Sequence, residues 1–301
     1  MARTDASTRS RARSRNIRHS WAAWSSVISH ACDSVLGLNL PSSVREASGV
    51  VDPQLDGGRI VDEGDLRSLI VTTTHGRDRY RGVGFEELAT AGRAAVLGGK
   101  HEIEAPPDAE GPRWGPSIIV RLDELALCRI HDWTDDVMRF TGPDHWSTGA
   151  AASAHITVRT LGPRRSGTPD AALVHRYATA IAEAASGKSL SFNVLGILIT
   201  PISVMLGLEP ANDQPARLAK ALGGALGSDG WFEKDRLRDI WYVNLVHFSG
   251  PVVNPPGLVH WVERFAVPAS FKVRGGSLEV VRWHFDGIRM MPATLTSVPL
   301  C

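Results

Sequence analysis

The sequence predicts an α+β protein in which strands and helices alternate between residues 117 and 297. Two observations lead to this prediction. Short apolar or alternating stretches, typical of strands, are separated by longer stretches that carry apolar residues at helical spacing. Proline, glycine and capping residues divide the two kinds of stretch. The order strand, helix, strand, helix, strands, helix, strand, helix, strands favours two similar lobes, each with one histidine-bearing strand.

The N-terminal part of the chain is less regular. Residues 1–20 contain six Arg and one Asp and predict a disordered, Arg-rich tail, with a nucleic-acid-binding arm as the alternative. Residues 21–111 are predicted to be an N-terminal extension of unknown role. Its expected elements are a short helix within 21–40, a strand at 69–74, a helix at 85–98 and a linker rich in Pro and Gly over 100–116.

Residues 112–301 are predicted to form the main domain. Asp123 is a suitable N-cap for its first helix, Pro169 precedes the first turn of the second, and Gly142 and Gly187 follow the ends of these helices. The predicted strands cover residues 117–122, 153–161, 190–199, 202–208, 241–249, 270–274, 277–285 and 288–297. The predicted helices cover residues 123–140, 171–186, 213–227 and 255–265.

Charge and cysteine content narrow the class of function. The formal net charge is +1, and the tail accounts for +5, which leaves 1 − 5 = −4 for the rest of the chain. A mildly acidic body does not fit a broad duplex-binding surface, and it fits a small phosphorylated substrate held by a few local cations. Cys32, Cys128 and Cys301 show no metal-binding spacing, so we expect neither a disulfide framework nor a zinc site. A reducing cytoplasm is the expected compartment, because no secretory signal is visible.

One stretch approaches the length of a membrane span. Residues 189–208 carry no charge. Thr200 and Pro201 interrupt the stretch, and two buried strands joined by a turn are therefore predicted there, with no membrane segment.

Two predicted strands carry the same motif. His155-Ile156-Thr157 and His247-Phe248-Ser249 lie 247 − 155 = 92 residues apart. Residues two apart on a strand share a face, so each strand should present one imidazole and one hydroxyl to the same side. Two histidines and two hydroxyls facing one groove are suited to opening a phosphodiester without a metal.

These motifs resemble those of the two-histidine (2H) phosphoesterase superfamily, which includes the 2′-5′ RNA ligase-like proteins and cyclic nucleotide phosphodiesterases. The resemblance covers residues 112–300 and rests on His155-Ile156-Thr157-Val158 with the following Leu161-Gly162, and on His247-Phe248-Ser249. The second motif departs from the family at Gly250, where an apolar residue is usual. A third match, at His145-Trp146-Ser147, lies in a turn-rich stretch and is interpreted as a chance match.

The resemblance implies a bilobal fold, with two antiparallel-sheet lobes and packed helices around a central groove. It also implies catalysis without a metal or other cofactor. The substrate would be a nucleotide or RNA end with a 2′,3′-cyclic phosphate or a 2′-5′ phosphodiester, and the reaction could run in reverse as a 2′-5′ ligation. A non-catalytic module that binds RNA or nucleotides with the same fold is the alternative, and a partner-binding protein is a third possibility.

Each candidate residue has a physical role. Histidine can hold either protonation state at neutral pH, so His155 and His247 are the expected general acid and base, with a bell-shaped pH–rate profile. The hydroxyls of Thr157 and Ser249 could donate to phosphoryl oxygens. By strand parity Arg159 should lie beside His155 and bind phosphate.

Three further residues are candidates for the groove wall. By the same parity Trp241 should share a face with His247 and could stack a base, with core packing as the alternative. Arg282 and His284 share a face of a late strand. A metal site is not predicted, because neither histidine strand has further ligands at suitable spacing.

Overall fold

The computed structural model describes residues 84–107, 110–185, 187–234, 238, 240–268 and 270–300. Within these residues the helices are α1 (Phe85–Leu97), α2 (Glu124–Thr141), α3 (Ala171–Ala185), α4 (Gln214–Leu226) and α5 (Pro255–Glu263), and a 3-10 helix covers Gly227–Glu233. The strands are β1 (Ser117–Leu122), β2 (Trp146–Ser147), β3 (His155–Thr160), β4 (Ser191–Ile199), β5 (Ser203–Pro210), β6 (Trp241–His247), β7 (Lys272–Phe285) and β8 (Met290–Pro299). The predicted α+β class is confirmed. The predictions for 1–20, 21–40 and 69–74 fall outside the described residues.

The strands form two antiparallel half-sheets that share β7. The strand order is β2-β6-β5-β4-β7-β1-β3, and β8 pairs with the outer part of β7. Lys272–Arg274 of β7 pair with β4, whereas the residues from Gly275 to Val281 pair with β1. The sequence predicted two separate strands here, and the structure has one, because the ladder continues through Gly275 and Gly276. The expected two-lobed arrangement of antiparallel sheets is confirmed.

The sheet folds back on itself without closing. Strands β3 and β6 lie near opposite ends of the strand order, yet they contact each other. Each of these strands carries one of the two histidine motifs. The fold-back therefore brings together two motifs that are distant in the sequence and in the sheet.

The two faces of the sheet are covered differently. The helices and one face enclose the main core, whose fully buried members include Ile118, Ile156, Val204 and Leu206. The opposite face carries a smaller group of side chains, which we call the groove cluster. Its members are Ile119, Trp146, Val281, Trp283 and Met290, with Trp114 and Phe285 packed against them. We call the side of the sheet that carries this cluster the groove face.

The segment before the main domain packs on the same body. Helix α1, predicted at 85–98, contacts β4 and α5. A Cβ atom at Gly92 would lie 2.0 Å from the Ile199 carbonyl oxygen, so the close approach of α1 to β4 requires glycine at this position. The backbone N–H of Glu104 donates to the Phe248 carbonyl at 2.6 Å. Residues that the sequence assigned to the N-terminal extension thus pack against the main domain, including the end of β6.

Several local predictions can be compared directly with the structure. The carboxylate of Asp123 accepts from Ala126 N at 2.8 Å, which confirms the predicted N-cap of α2. Residues 189–208 form β4 and β5, as predicted, and no helix in the described part of the chain is long and apolar enough to cross a membrane. The stretch around Trp146 is rich in turns, as predicted, and it also contains a two-residue strand, because Trp146 and Ser147 pair with β6. The sequence predicted no disulfide framework, and the structure has a disulfide bond at Cys128.

Candidate active site

The structure places both motif histidines within one aromatic group. His155 begins β3 and is 7% exposed, and His247 ends β6 and is 2% exposed. Trp283 lies 4.5 Å from the His155 ring between centroids, and Trp114 lies 5.6 Å from the His247 ring. The two tryptophans contact each other at 5.3 Å. A continuous series of rings thus joins the two histidines on the groove face.

His155 is held as a neutral imidazole. Its Nδ1 donates to the Ser153 carbonyl at 2.7 Å, which leaves Nε2 with the unshared electron pair. Burial lowers the pKa of His155 from 6.5 to about 3, and the Ser153 hydrogen bond opposes this shift only in part. The positive charges of Arg121, His247 and Arg238 lower it further. The ring is therefore available as a proton acceptor over the whole physiological pH range.

His247 has a denser set of partners. Its ring stacks on Trp146 with a centroid distance of 3.8 Å and an interplanar angle of 2°. Nδ1 lies 3.2 Å from Oε2 of Glu104, a carboxylate that also pairs with Arg113. Nε2 lies 3.0 Å from the Asn244 amide nitrogen and 3.3 Å from the Thr148 hydroxyl. His247 is therefore fixed in position by contacts on its ring face and on both nitrogens.

The two predicted hydroxyls are placed differently. Thr157 is half-buried, and it pairs with Ile119 of the groove cluster, on the same face as His155. Ser249 lies beyond the end of β6, where strand alternation no longer holds, and its hydroxyl donates to the Asp144 carbonyl at 2.6 Å. The hydroxyl that approaches His247 belongs instead to Thr148, which follows β2.

The prediction that Arg159 shares a face with His155 is wrong. Thr157 pairs with Ile119, but Arg159 pairs with Ile118, so Val158 is the extra residue of a β-bulge. The bulge turns Arg159 toward the face of Ile118 and the main core. Its guanidinium donates to the Gly230 carbonyl at 2.8 Å, in the 3-10 helix. Arg159 is thus a buried structural residue on the helix side of the sheet.

A second bulge affects Trp241 in the same way. Val246 pairs with Val204 and Asn244 pairs with Met205, so Leu245 is the extra residue. Trp241 therefore faces the main core, where it contacts Phe192 at 5.6 Å, and the prediction that it lines the groove beside His247 is wrong. The bulge places Asn244 on the face of His247, although the two are three residues apart.

Arg282 and His284 are also absent from the groove face. They do share a face, as predicted, but Ile119 of the groove cluster pairs with Glu279, so the odd-numbered residues of this part of β7 line the groove face. Trp283 and Glu279 occupy it, and Arg282 and His284 point to the opposite side. The alternation of side chains along β7 predicts which residues share a face, but it does not predict which of the two faces lies on the side of the histidines.

The structure adds residues that sequence reasoning missed. Arg121 pairs directly with His155 across the β1–β3 ladder and donates to the Ala152 carbonyl at 3.1 Å. A charged residue within an otherwise apolar strand was the signal that could have identified it. Trp114, Trp146 and Glu104 carried no such signal, because they precede the histidine strands in stretches that looked like linker or turn.

The placement of Thr148 depends on Gly149. The carbonyl of the bulge residue Leu245 accepts from both Thr148 N, at 3.2 Å, and Gly149 N, at 3.1 Å. A Cβ atom at Gly149 would lie 2.1 Å from the Thr134 hydroxyl oxygen and 2.9 Å from Leu245 Cα. We expect Gly149→Ala to destabilise the protein by about 1–3 kcal/mol through overpacking, measured by urea unfolding.

A second glycine provides the control for this prediction. Gly224 lies within α4, and a Cβ atom there meets nothing within 4 Å. Gly224→Ala should therefore leave stability unchanged or raise it by up to about 1 kcal/mol. Equal effects of the two substitutions would show that the backbone around Gly149 is not tightly packed.

The part of the chain that the structure describes contains no group of three or more His, Cys, Asp and Glu side chains that could hold a metal ion. The fold and the site together define a two-lobed α+β protein with a paired-histidine site on the groove face.

No protein-family model matches the sequence, and no curated protein matches it. Among solved structures, TT0787 of Thermus thermophilus is similar, with 16% identity and a TM-score of 0.45 over 62% of this chain and 97% of that one. E. coli LigT complexed with 3′-AMP is similar, with 16% identity and a TM-score of 0.42 over 64% of this chain and 99% of that one. A structure described as a phosphoesterase is also similar, with 15% identity and a TM-score of 0.40 over 63% of this chain and 98% of that one.

Proposed function

We propose that this protein is a metal-independent phosphoesterase that uses His155 and His247 as its general acid–base pair. Its substrate would be a nucleotide or RNA end with a 2′,3′-cyclic phosphate, or a 2′-5′ phosphodiester. The observation that carries the proposal is the meeting of the two histidines on one aromatic face, although β3 and β6 lie near opposite ends of the strand order.

The chemistry follows from the groups present. Hydrolysis of a cyclic phosphate requires a base that takes a proton from water and an acid that gives one to the departing ribose oxygen. Two imidazoles in different environments can divide these tasks. Thr157 shares the face of His155 and could donate to a phosphoryl oxygen. Arg121, opposite His155, would supply positive charge beside the phosphate.

Access to the histidines involves Trp114. Its indole lies edge-on to both His247 and Trp283. Trp283 in turn contacts the His155 ring, so the Trp114 indole lies between the surroundings of the two histidines. The tryptophans around it then offer flat surfaces against which a nucleobase could stack.

The same pair could run the reaction in reverse. A ribose 5′-hydroxyl that attacks a 2′,3′-cyclic phosphate needs a base to take its proton, and the departing 3′-oxygen needs an acid, which leaves the new phosphodiester between the 2′- and 5′-oxygens. Reversible 2′-5′ ligation therefore requires no additional residue.

A non-catalytic binding module is the second candidate, and the burial of both histidines favours it. His247 in particular is 2% exposed and has partners on both nitrogens, as a purely structural histidine would. Such a protein would hold a nucleotide or RNA end on the groove face without turnover.

The test is hydrolysis of a nucleoside 2′,3′-cyclic phosphate in the presence of EDTA. We expect turnover by the wild-type protein, and a fall of at least roughly 100-fold in His155→Ala. His284→Ala, which changes an exposed histidine on the other face of β7, should keep wild-type activity. Turnover that depends on added metal would contradict the proposal. Absence of turnover, with binding of the cyclic nucleotide retained in His155→Ala, would support the binding module.

A further inference from the structure

One buried carboxylate lies against a single member of the histidine pair. Glu104 is 5% exposed, and its Oε2 lies 3.2 Å from Nδ1 of His247. Its other carboxylate oxygen pairs with Arg113. The Nδ1 of His155 has instead a carbonyl partner, that of Ser153. The two histidines therefore differ in the charge of the group beside Nδ1.

Glu104 is held in place at several points around the His247 ring. Its N–H donates to the Phe248 carbonyl at 2.6 Å, directly after β6. Its own carbonyl accepts from the Trp146 indole N–H at 3.0 Å, and Trp146 stacks on the His247 ring. Glu104, Trp146 and His247 form one unit, which we call the Glu104 unit. Its rigidity favours a positioning function for the carboxylate over a chance surface contact.

The second nitrogen of His247 also faces an acceptor. The Thr148 hydroxyl donates its proton to the Asn244 carbonyl at 3.0 Å, so its lone pairs are left to face Nε2 at 3.3 Å. The Asn244 amide oxygen is buried without a partner among the described residues. Exchanging the nitrogen and oxygen of this amide would place its oxygen beside Nε2. With a carboxylate at Nδ1, and with the Thr148 oxygen and the exchanged Asn244 oxygen at Nε2, the hydrogen-bond pattern favours an N–H on both nitrogens.

The surroundings of His155 favour the opposite state. Its Nδ1 proton is committed to the Ser153 carbonyl, and Nε2 is unprotonated. Arg121 and Arg238 contribute positive charge around the ring. A second proton on His155 is therefore disfavoured.

We infer that Glu104 is a positioning residue that holds His247 as an imidazolium, which makes His247 the general acid and His155 the general base; this assignment rests on the proposed function. In hydrolysis of a cyclic phosphate, Nε2 of His155 takes a proton from water while the water oxygen bonds to phosphorus. The bond from phosphorus to one ribose oxygen breaks, and that oxygen receives the Nε2 proton of His247. After the step His155 is protonated and His247 is neutral, and proton exchange with solvent returns both histidines to their starting states.

The inference predicts a change in pH dependence when Glu104 loses its charge. In Glu104→Gln, kcat/KM for a nucleoside 2′,3′-cyclic phosphate should fall roughly 10- to 100-fold, less than the loss of a general acid itself. The alkaline limb of its pH profile should move to lower pH, because the neutral amide no longer favours the imidazolium. Glu104→Asp keeps the carboxylate, so the alkaline limb of its pH profile should lie close to that of wild type. Glu102→Gln, on the same segment, is the matched control and should leave the limb in place.

A measurement that does not need turnover completes the test. The imidazole NMR signals of His247 should show loss of its proton at lower pH in Glu104→Gln than in wild type. An unfolding temperature equal to that of wild type would show that the variant is folded. A lowered rate with an unmoved limb and an unmoved titration would overturn the inference and leave Glu104 a structural residue. If wild type shows no hydrolysis, the proposed function fails, while the titration still decides whether Glu104 holds the proton on His247.

Discussion

Replacing His247 with alanine should slow hydrolysis of a nucleoside 2′,3′-cyclic phosphate by roughly 10²–10⁴-fold. The same substitution should slow release of p-nitrophenolate from a nucleoside p-nitrophenyl phosphodiester by no more than about tenfold, because a stable leaving anion does not need a general acid. The two rates are measured on one preparation of each protein. Their ratio is therefore independent of the fraction of the variant that is folded.

His155→Ala is the matched comparison. A general base is required whatever the leaving group, so this variant should lose activity toward both substrates by similar factors. If instead His155→Ala shows the leaving-group dependence and His247→Ala does not, the two roles are reversed. Equal losses for both substrates in both variants would contradict any division of acid and base between the two histidines.

Stability should fall in mild acid because of His155. Its pKa is lowered from 6.5 to about 3 in the folded protein by burial, whereas the unfolded chain takes up the proton near 6.5. Between these values the unfolded state binds more protons, so the free energy of unfolding decreases as the pH falls. The stability associated with a neutral His155 is fully present above pH 6.5. As the pH falls, the free energy of unfolding decreases by roughly 1.4 kcal/mol per pH unit down to about pH 3. Between about pH 6.5 and pH 5 this single group should cost about 2 kcal/mol.

Urea unfolding of wild type and His155→Gln at about pH 7 and pH 5 measures this effect. Glutamine does not titrate, so the variant should lose about 2 kcal/mol less than wild type over this interval. His284→Gln removes an exposed histidine and should follow wild type. The same pH dependence in wild type and His155→Gln would show that the folded protein admits a proton at His155 without cost.

The sequence predicted the class, most of the order of the elements and the two strands that carry His155 and His247, because these depend on local patterns. Apolar alternation located β3 and β6, and Asp123 marked the start of α2. The prediction of side-chain direction held over two residues, from His155 to Thr157. It failed over four and six residues, at Arg159 and Trp241.

The failures have one physical cause. A single inserted residue in each histidine strand, Val158 in β3 and Leu245 in β6, reverses the alternation beyond it. Neither residue differs in character from its neighbours, so nothing in the sequence marks the bulge. The bulges become visible only through pairing with β1 and β5, which is a long-range property of the sheet.

Glu104 was missed for a different reason. It lies in a stretch rich in proline and glycine, and its neighbours in the sequence suggest a linker. Its contact with His247 spans 143 residues and depends on the pairing of Glu104 N with the end of β6. Spacing within the sequence carries no information about such a contact.

The backbone of Trp114 has an energetic consequence. Among the described residues it is the only one other than glycine with a positive φ, at 59°. A side chain held in this left-handed region costs about 1–3 kcal/mol, and contacts of the indole with Trp146, Trp283 and His247 offset that cost. The net contribution of the Trp114 side chain to stability is therefore smaller than its three aromatic contacts alone suggest.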